Sequence, residues 1–285
     1  MLKLSTMKKK VSLTPKVSIG LPVYNGEKYL SKTLDNLLEQ SFDNFEIIIS
    51  DDGSLDRTED ICNKYAEYDS RVNYFRQSVN FGMPVKNFRF VLEKARGEYF
   101  MFASHDDSWD KKFIEEMVNL LDKNPICSLA FSNYKIKNLQ GDQEIPIDVS
   151  SSVSGSKFVR YMTRIIDTQP ALIFGLFRRK ILKTKDLILV DHFELHFGNV
   201  MALNGKIKIL DKYMMNWGID GSRKSYSITG KIISYRKYYL LQIKLITKNF
   251  SFFHWPLPIM YLTFWAVNGW FKRRVFPSKF NLDFN

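Results

Sequence analysis

The chain is short of several things that would place it quickly. It has two cysteines in 285 residues, Cys62 and Cys127. They show no metal-type spacing and cannot build a disulfide framework, so a reducing compartment is expected. No apolar run of signal-peptide length precedes Pro15, so export by that route is not expected. No glycine-rich G-x-G-x-x-G follows the first apolar run, which argues against a dinucleotide-dependent oxidoreductase. No helix-turn-helix, zinc-finger or RNA-binding aromatic pattern appears. Nucleic acid is therefore not an expected partner, despite a net charge of +12. Anionic lipid or phosphorylated small molecules suit that charge better.

What the chain does have is an apolar core in short instalments. Hydrophobic residues make up 45% of it, enough for one large domain plus an appendage. Residues 1–15 read as a disordered basic lead-in, with Lys3, Lys8, Lys9 and Lys10. Val17–Val23, Phe45–Ser50, Val72–Arg76 and Tyr99–Ala103 read as strands. Glu27–Gln40, Thr58–Tyr68 and Met83–Ala95 read as helices between them, with Leu30, Leu34, Leu37 and Leu38 on one helical face. Short apolar strands alternating with helices predict a mainly parallel sheet covered on both faces. A helix over Asp110–Lys123 and a strand over Cys127–Ser132 continue the pattern. Residues 138–156 read as a polar loop. In the second half, Ile173–Phe177 is an apolar run leading into basic residues, Phe193–Leu203 a helix, Lys206–Leu210 a strand, and Lys231–Lys248 a long helix.

Two strands end in paired carboxylates: Phe45–Ser50 in Asp51-Asp52, and Tyr99–Ala103 shortly before Asp106-Asp107. Adjacent acids at the end of a buried strand are costly unless a cation or donor compensates them. Ligands in open α/β sheets sit at the carboxyl ends of strands. The two pairs therefore predict one polar crevice at one sheet edge, suited to a divalent cation and a phosphate-bearing substrate.

The motifs that carry a resemblance are Leu21-Pro22-Val23-Tyr24-Asn25-Gly26, Ser50-Asp51-Asp52-Gly53-Ser54, Asn80-Phe81-Gly82, Ala95-Arg96-Gly97-Glu98-Tyr99 and Asp106-Asp107. In order and spacing over residues 16–125 they resemble the family-2 inverting glycosyltransferases. That resemblance implies a GT-A type α/β fold with a mixed, mainly parallel central sheet. It also implies a nucleotide-diphospho-sugar donor, UDP- or dTDP-linked, and a Mg²⁺ or Mn²⁺ cofactor. Asp107 would hold the metal, and Asp106 would face the ribose or assist through water. Asp52 would accept a hydrogen bond from the pyrimidine. Pro22, Tyr24 and Asn25 would wrap the base, with Glu27 nearby. Glu27 reads equally well as an ordinary first-turn helix acid, and Asp51 reads as a helix cap. His105 stands where the usual D-x-D form has its first carboxylate, and reads as a supporting residue.

The resemblance assigns the general base to an acid at a helix start in the second half. Asp191 fits best and Glu194 is second. Arg223 or Lys224 in the following loop would reach phosphate, or remain solvated. The Q-x-x-R-W element of processive synthases is absent, which argues for single additions to a glycan or lipid-linked acceptor. Transfer to a polyprenyl phosphate is the rival reaction. A non-catalytic sugar-nucleotide binder in a glycan-assembly complex is the rival from another class. The divisions expected are residues 16–228 for the transferase, split near 135 into donor and acceptor halves, and 229–285 for a helical appendage.

Phe250–Phe271 has no Asp, Glu, Lys or Arg, holds three tryptophans, and precedes Lys272-Arg273-Arg274. It reads as an interfacial anchor on the inner face of the cytoplasmic membrane, or as a helix packed on protein. A full span comes third.

Overall fold

The computed structural model describes residues 14–140, 143–149, 152–167, 169–184, 187, 193–219 and 228–261, with the backbone alone at 228–237. The expectation for residues 1–13 lies outside this set, as do Asp191, Arg223, Lys224 and the tail beyond 261.

Nine strands form one sheet among the described residues. The first half is as regular as its apolar spacing predicts. Strand β1 (Val17–Val23) leads to helix α1 (Leu30–Leu38), β2 (Phe45–Asp51) to α2 (Thr58–Tyr68), β3 (Val72–Arg76) to α3 (Pro84–Lys94), and then comes β4 (Tyr99–Phe102). All four strands are parallel, in the order β3-β2-β1-β4. Every residue of β2 and β4 is buried, which is why these strands lack polar alternation. The apolar face of α1 buries Leu30, Leu34 and Leu37, with Leu38 partly covered. Helix α3 begins with Pro84 in its first turn, where a missing N–H costs nothing.

The second half is more mixed. Two-residue β5 (Ser108–Trp109) precedes α4 (Phe113–Lys123), and β6 (Cys127–Asn138) runs beside β7 (Glu144–Ile147). Helix α5 (Lys157–Ile166) leads through a 3-10 turn at Pro170–Phe174 to β8 (Leu176–Arg178). Helix α6 (Phe193–Asn204), β9 (Lys206–Ile219) and α7 (Ile228–Asn249) follow. The order continues β4-β8-β6-β9-β5, with β5, β7 and β8 antiparallel to their neighbours and β6 parallel to β9. The sheet is thus mixed but mainly parallel.

Three details differ from the sequence reading. The stretch read as loop contains β7, an edge strand with no buried residue. The apolar run at 173–177 is a strand only in its last residues, because Pro170 opens a 3-10 turn first. Strand β9 runs nine residues past Leu210, through exposed Asp211 and Lys212, because β6 extends beside it.

Aromatic packing ties the halves together. The rings of Phe88 on α3, Phe102 on β4, Phe177 on β8, and Phe193 and Phe197 on α6 form a chain of contacts with centroids 5.0–6.1 Å apart. At the sheet edge away from the strand carboxyl ends, buried Glu46 accepts from Ser18 Oγ at 2.7 Å and from the Arg96 guanidinium at 2.6 Å. Glu46 interrupts an apolar strand, and Arg96-Gly97 is its counterpart. Gly97 lacks a side chain because a Cβ there would lie 2.6 Å from the Ser18 nitrogen.

Helix α7 docks on α5 and α6. Ile246 packs with Tyr161, Ile165 and Leu203. Beside them lies a buried polar junction. Asn199 Nδ2 donates to Gln242 Oε1 at 2.9 Å, Tyr161 Oη donates to the same oxygen at 3.2 Å, and Gln242 Nε2 meets His196 Nδ1 at 3.2 Å.

Candidate active site

The ends of β1, β2 and β4 meet at one edge of the sheet. Val23 pairs with Asp51, and the Asp52 N–H donates to Val23 O at 2.9 Å. Beyond the strands, the β1–α1 and β2–α2 loops are laced together. Asn25 N donates to Ser54 Oγ at 2.8 Å, Gly26 N to Thr58 Oγ1 at 2.8 Å, and Glu27 N to Asp56 Oδ2 at 3.0 Å. In return Asn25 Oδ1 accepts from Leu55 N at 2.9 Å and Glu27 Oε2 from Arg57 N at 3.0 Å. Asn25 reaches this arrangement with φ of 51°, in the left-handed region that asparagine tolerates. Asn25 and Glu27 therefore build the wall of the crevice. Pro22 stands half-buried on β1, and the Tyr24 ring is 45% exposed at its end.

Asp51 is wholly buried and fully engaged. Its Oδ1 accepts from Ser54 N at 2.8 Å, and its Oδ2 accepts from Tyr74 Oη at 3.1 Å and Arg76 Nη1 at 2.8 Å. It caps a turn, not a helix, since α2 begins only at Thr58. Asp52 is 5% exposed. Its Oδ1 accepts from Phe81 N at 2.7 Å, and its carbonyl accepts from Asn80 Nδ2 at 2.9 Å. Burial pushes the Asp52 carboxyl above the usual range, and the neighbouring Asp51 charge adds to this against the Phe81 hydrogen bond and Lys86. Gly53, at φ 72°, turns the chain under residues 77–80.

The second pair sits on the turn after β4. Ala103 N still donates to Gly20 O at 2.9 Å, and the chain then curls through Ser104–Asp107. Thr33 Oγ1 on α1 holds this turn through the carbonyls of His105 at 2.8 Å and Asp107 at 3.0 Å. His105 packs against Gly26, where a Cβ would come 3.2 Å from its ring. Asp106 accepts a short hydrogen bond from Ser104 Oγ. Asp107 is 2% exposed, and its Oδ1 accepts from Gly218 N at 2.9 Å. A Cβ at Gly218 would lie 2.1 Å from Asp106 O, so only glycine lets β9 come this close. Thr33 and Gly218 are the supporting residues that sequence reading missed. Their contacts span 72 to 111 positions, and no local pattern reports them.

The structure thus brings Asp52, Asp106 and Asp107 to one edge, with Tyr24 at its rim. Glu194 is half-buried in the first turn of α6, and Phe193 beside it packs on α3. No group of three or more His, Cys, Asp or Glu gathers around a common point among the described residues. Asp107 and Asp106 would offer a cation one or two carboxylate oxygens and leave the rest of its shell to phosphate and water, a set that suits Mg²⁺.

A parallel α/β sheet with carboxylates at two strand ends and a mixed second half defines a nucleotide-sugar-binding fold of the GT-A type. The model of the family described as "Glycosyl transferase family 2" matches residues 18–185, more than half of the chain. The chain belongs to that family. A glycosyltransferase of Haemophilus influenzae is 33% identical over 169 residues, 59% of this chain and 64% of its own length. The putative teichuronic acid biosynthesis glycosyltransferase TuaG of Bacillus subtilis is 33% identical over 127 residues, 45% of this chain and 50% of its own. The chain thus spans between half and two thirds of these relatives. Among solved structures, S. aureus TarS 1–349 superposes with TM-score 0.70 at 21% identity, covering 94% of this chain and 76% of that one. The same fragment is also known in complex with UDP-GlcNAc. The mannosyltransferase PcManGT of Pyrobaculum calidifontis, in complex with GDP-Man and Mn²⁺, gives TM-score 0.57 at 15% identity, over 91% and 72% of the two chains. These likenesses establish the fold.

Proposed function

We propose that this protein is an inverting, single-addition glycosyltransferase. It moves a sugar from a UDP- or dTDP-sugar to a hydroxyl of a glycan or lipid-linked acceptor in cell-surface polysaccharide synthesis. The observation that carries the reading is the convergence of Asp52 and Asp107 on either side of the end of β1. Asp52 would accept from the pyrimidine N–H, with the exposed Tyr24 at the end of the neighbouring strand β1. Asp107, with Asp106 next to it, would hold Mg²⁺ or Mn²⁺. Bound there, the cation supplies positive charge to the departing diphosphate. The complexes of TarS with UDP-GlcNAc and of PcManGT with Mn²⁺ support a nucleotide sugar and a divalent metal. The likeness to TuaG, a putative teichuronic acid biosynthesis glycosyltransferase, supports a surface glycan as the product.

Asp191 is the proposed general base, taking the proton of the acceptor hydroxyl as it attacks opposite the leaving group. Glu194, three residues further along the chain, is the alternative. The Asp191→Asn variant is expected to lose transfer by about 10³-fold while binding UDP as wild type does. Donor turnover and UDP binding are measured together; transfer retained in Asp191→Asn moves the base to Glu194. Donor turnover absent from wild type across a panel of UDP- and dTDP-sugars would favour the non-catalytic binder.

Polyprenyl-phosphate transfer is the second reading, and analysis of lipid-extracted product separates it. A peripheral place on the inner face of the membrane suits either acceptor. It is supported by Phe252, Phe253, Leu257 and Met260, all more than 60% exposed on the C-terminal segment. Residues 228–285 carry nine lysines or arginines against Asp283 alone, a pattern suited to an anionic surface. No helix of the described residues is long and apolar enough to cross a membrane.

A further inference from the structure

Helix α5 and the segment after α7 lie side by side. Lys157 Nζ, at the start of α5, donates to Asn249 Oδ1 at 2.8 Å, and Tyr261 Oη donates to the carbonyl of Ile166, at its end, at 3.4 Å. Between these points the Phe158 ring meets Phe250 at 5.4 Å and His254 at 4.9 Å between centroids. The inner side of α5 buries Tyr161, Arg164 and Ile165. Its outer side carries Val159 and Ile166, two helical turns apart on one face, 50% and 57% exposed. The neighbouring segment carries Phe252, Phe253, Leu257 and Met260, with Phe253 91% exposed. Six large apolar side chains thus stand exposed along two adjacent elements.

Two properties indicate what covers this face. The first is charge. Neither α5 nor residues 228–261 contain an Asp or Glu, while Lys157, Lys244 and Lys248 are exposed on these elements. The acid that follows α5, Asp167, accepts from Arg164 Nη1 at 3.4 Å. A second copy of this chain would set lysines against lysines across a two-fold axis. An anionic surface answers them. The second property is that polar groups of the face are bonded within it. Thr163, between Val159 and Ile166, donates from Oγ1 to Val159 O at 2.9 Å. Trp255 Nε1 donates to Phe250 O at 3.0 Å, Asn249 Nδ2 donates to Leu245 O at 2.9 Å, and Ser251 Oγ and His254 Nδ1 bond at 2.8 Å. None of these bonds depends on water, which lowers the cost of entering an apolar medium.

We propose that the outer face of α5 and residues 252–260 together form a docking face for an anionic lipid bilayer. The aromatic and aliphatic side chains enter the interfacial layer, and the lysines meet the lipid phosphates. The proposal rests on the peripheral-membrane reading and deepens it, because contact is made by α5 as well as by the C-terminal segment. Helix α5 is bonded inward to α6, where Arg160 Nε donates to Ala202 O at 2.8 Å, and α6 carries Glu194 in its first turn. The bilayer is thereby held one helix away from α6, which suits a lipid-linked acceptor.

Fluorescence labelling tests it on the full chain. Cys62 and Cys127 are buried, so the thiol introduced by Val159→Cys, Phe253→Cys or, as a control on α2, Lys64→Cys takes the label. An environment-sensitive dye is read with vesicles of phosphatidylcholine alone and of equal parts phosphatidylcholine and phosphatidylglycerol. The dye on Val159→Cys and on Phe253→Cys is expected to brighten about twofold or more with the anionic vesicles, and the dye on Lys64→Cys to stay unchanged. Vesicle flotation is measured alongside. Phe253→Ser is expected to weaken partitioning about tenfold with its melting temperature kept. Unchanged flotation of Phe253→Ser, or flotation of Val159→Cys without brightening of its dye, overturns the docking face and leaves a membrane location standing. Equal brightening with phosphatidylcholine alone overturns the preference for an anionic surface. Wild type that floats with neither vesicle overturns the membrane reading beneath the proposal. A dye that brightens with protein concentration in the absence of lipid gives the face to a second copy and overturns the proposal.

Discussion

Two strand ends of this molecule carry the same dipeptide and use it in opposite ways. After β2, the first aspartate is the buried structural one. Asp51 is saturated by a main-chain N–H, a tyrosine and an arginine, while Asp52 Oδ1 accepts from Phe81 N. After β4, the first aspartate is the more open one. Asp106 bonds within its own turn, and Asp107 is buried against the β9 backbone at Gly218. A buried carboxylate compensated by arginine has its charge answered within the fold. Asp107 meets a main-chain N–H, and on the proposed reading a cation would supply the compensating charge. The lesson is that an Asp-Asp pair at a strand end does not report its chemistry; the donors around it do.

The comparison can be broken in order of expected effect. Asp107→Ala should lower donor turnover by about 10³-fold with little change in melting temperature, measured as metal-dependent release of UDP. Turnover within threefold of wild type would remove the metal role. Gly218→Ala comes next. Its Cβ must displace the 104–107 turn, and an activity loss of about 10- to 100-fold is expected, with Mn²⁺ affinity weakened in parallel. An intact Mn²⁺ affinity in that variant would show that Gly218 does not position Asp107.

The Asp52 arm reads out in pH. Its carboxyl is raised above the ordinary range, chiefly by burial. The ionised form, which can accept the pyrimidine N–H, is therefore lost at a higher pH than an exposed aspartate would show. UDP affinity should fall as pH drops through that raised value, and Asp52→Asn should flatten the acid limb and weaken binding about tenfold at neutral pH. An acid limb unchanged in Asp52→Asn assigns the titration elsewhere. Smallest in activity is Asp51→Ala. It should leave the kinetics of the folded enzyme nearly untouched and cost about 2 kcal/mol of stability, from the buried donors it strands. Urea unfolding measures this, and a catalytic loss exceeding tenfold would mean that the two pairs share a role.

The parts legible in the sequence are those with local physical causes. Strands β1 to β4 and their helices follow from apolar runs and helical spacing, because both faces of that sheet are covered. The carboxylate pairs were legible because acids at the end of an apolar run are conspicuous. Strand β7 was not, since Glu144–Ile147 buries nothing and contains Pro146. The length of β9 was hidden by Asp211 and Lys212, which are polar because that stretch is exposed. The jobs of Asn25 and Glu27 as loop fasteners were illegible for another reason: their partners lie about 30 positions away. The same holds for the junction of Tyr161, Asn199 and Gln242, which keys α7 to α5 and α6.

The lacing of residues 25–27 to residues 54–57 has a thermodynamic consequence. Hydrogen bonds formed during folding have already removed most of the freedom of both loops. A nucleotide arriving at that wall loses its own motion but need not order the protein there. Donor binding should therefore carry a small conformational-entropy penalty on the protein side. On the proposed reading, base recognition would behave as a rigid gauge, and discrimination among sugars would fall to parts of the crevice that this lacing does not reach.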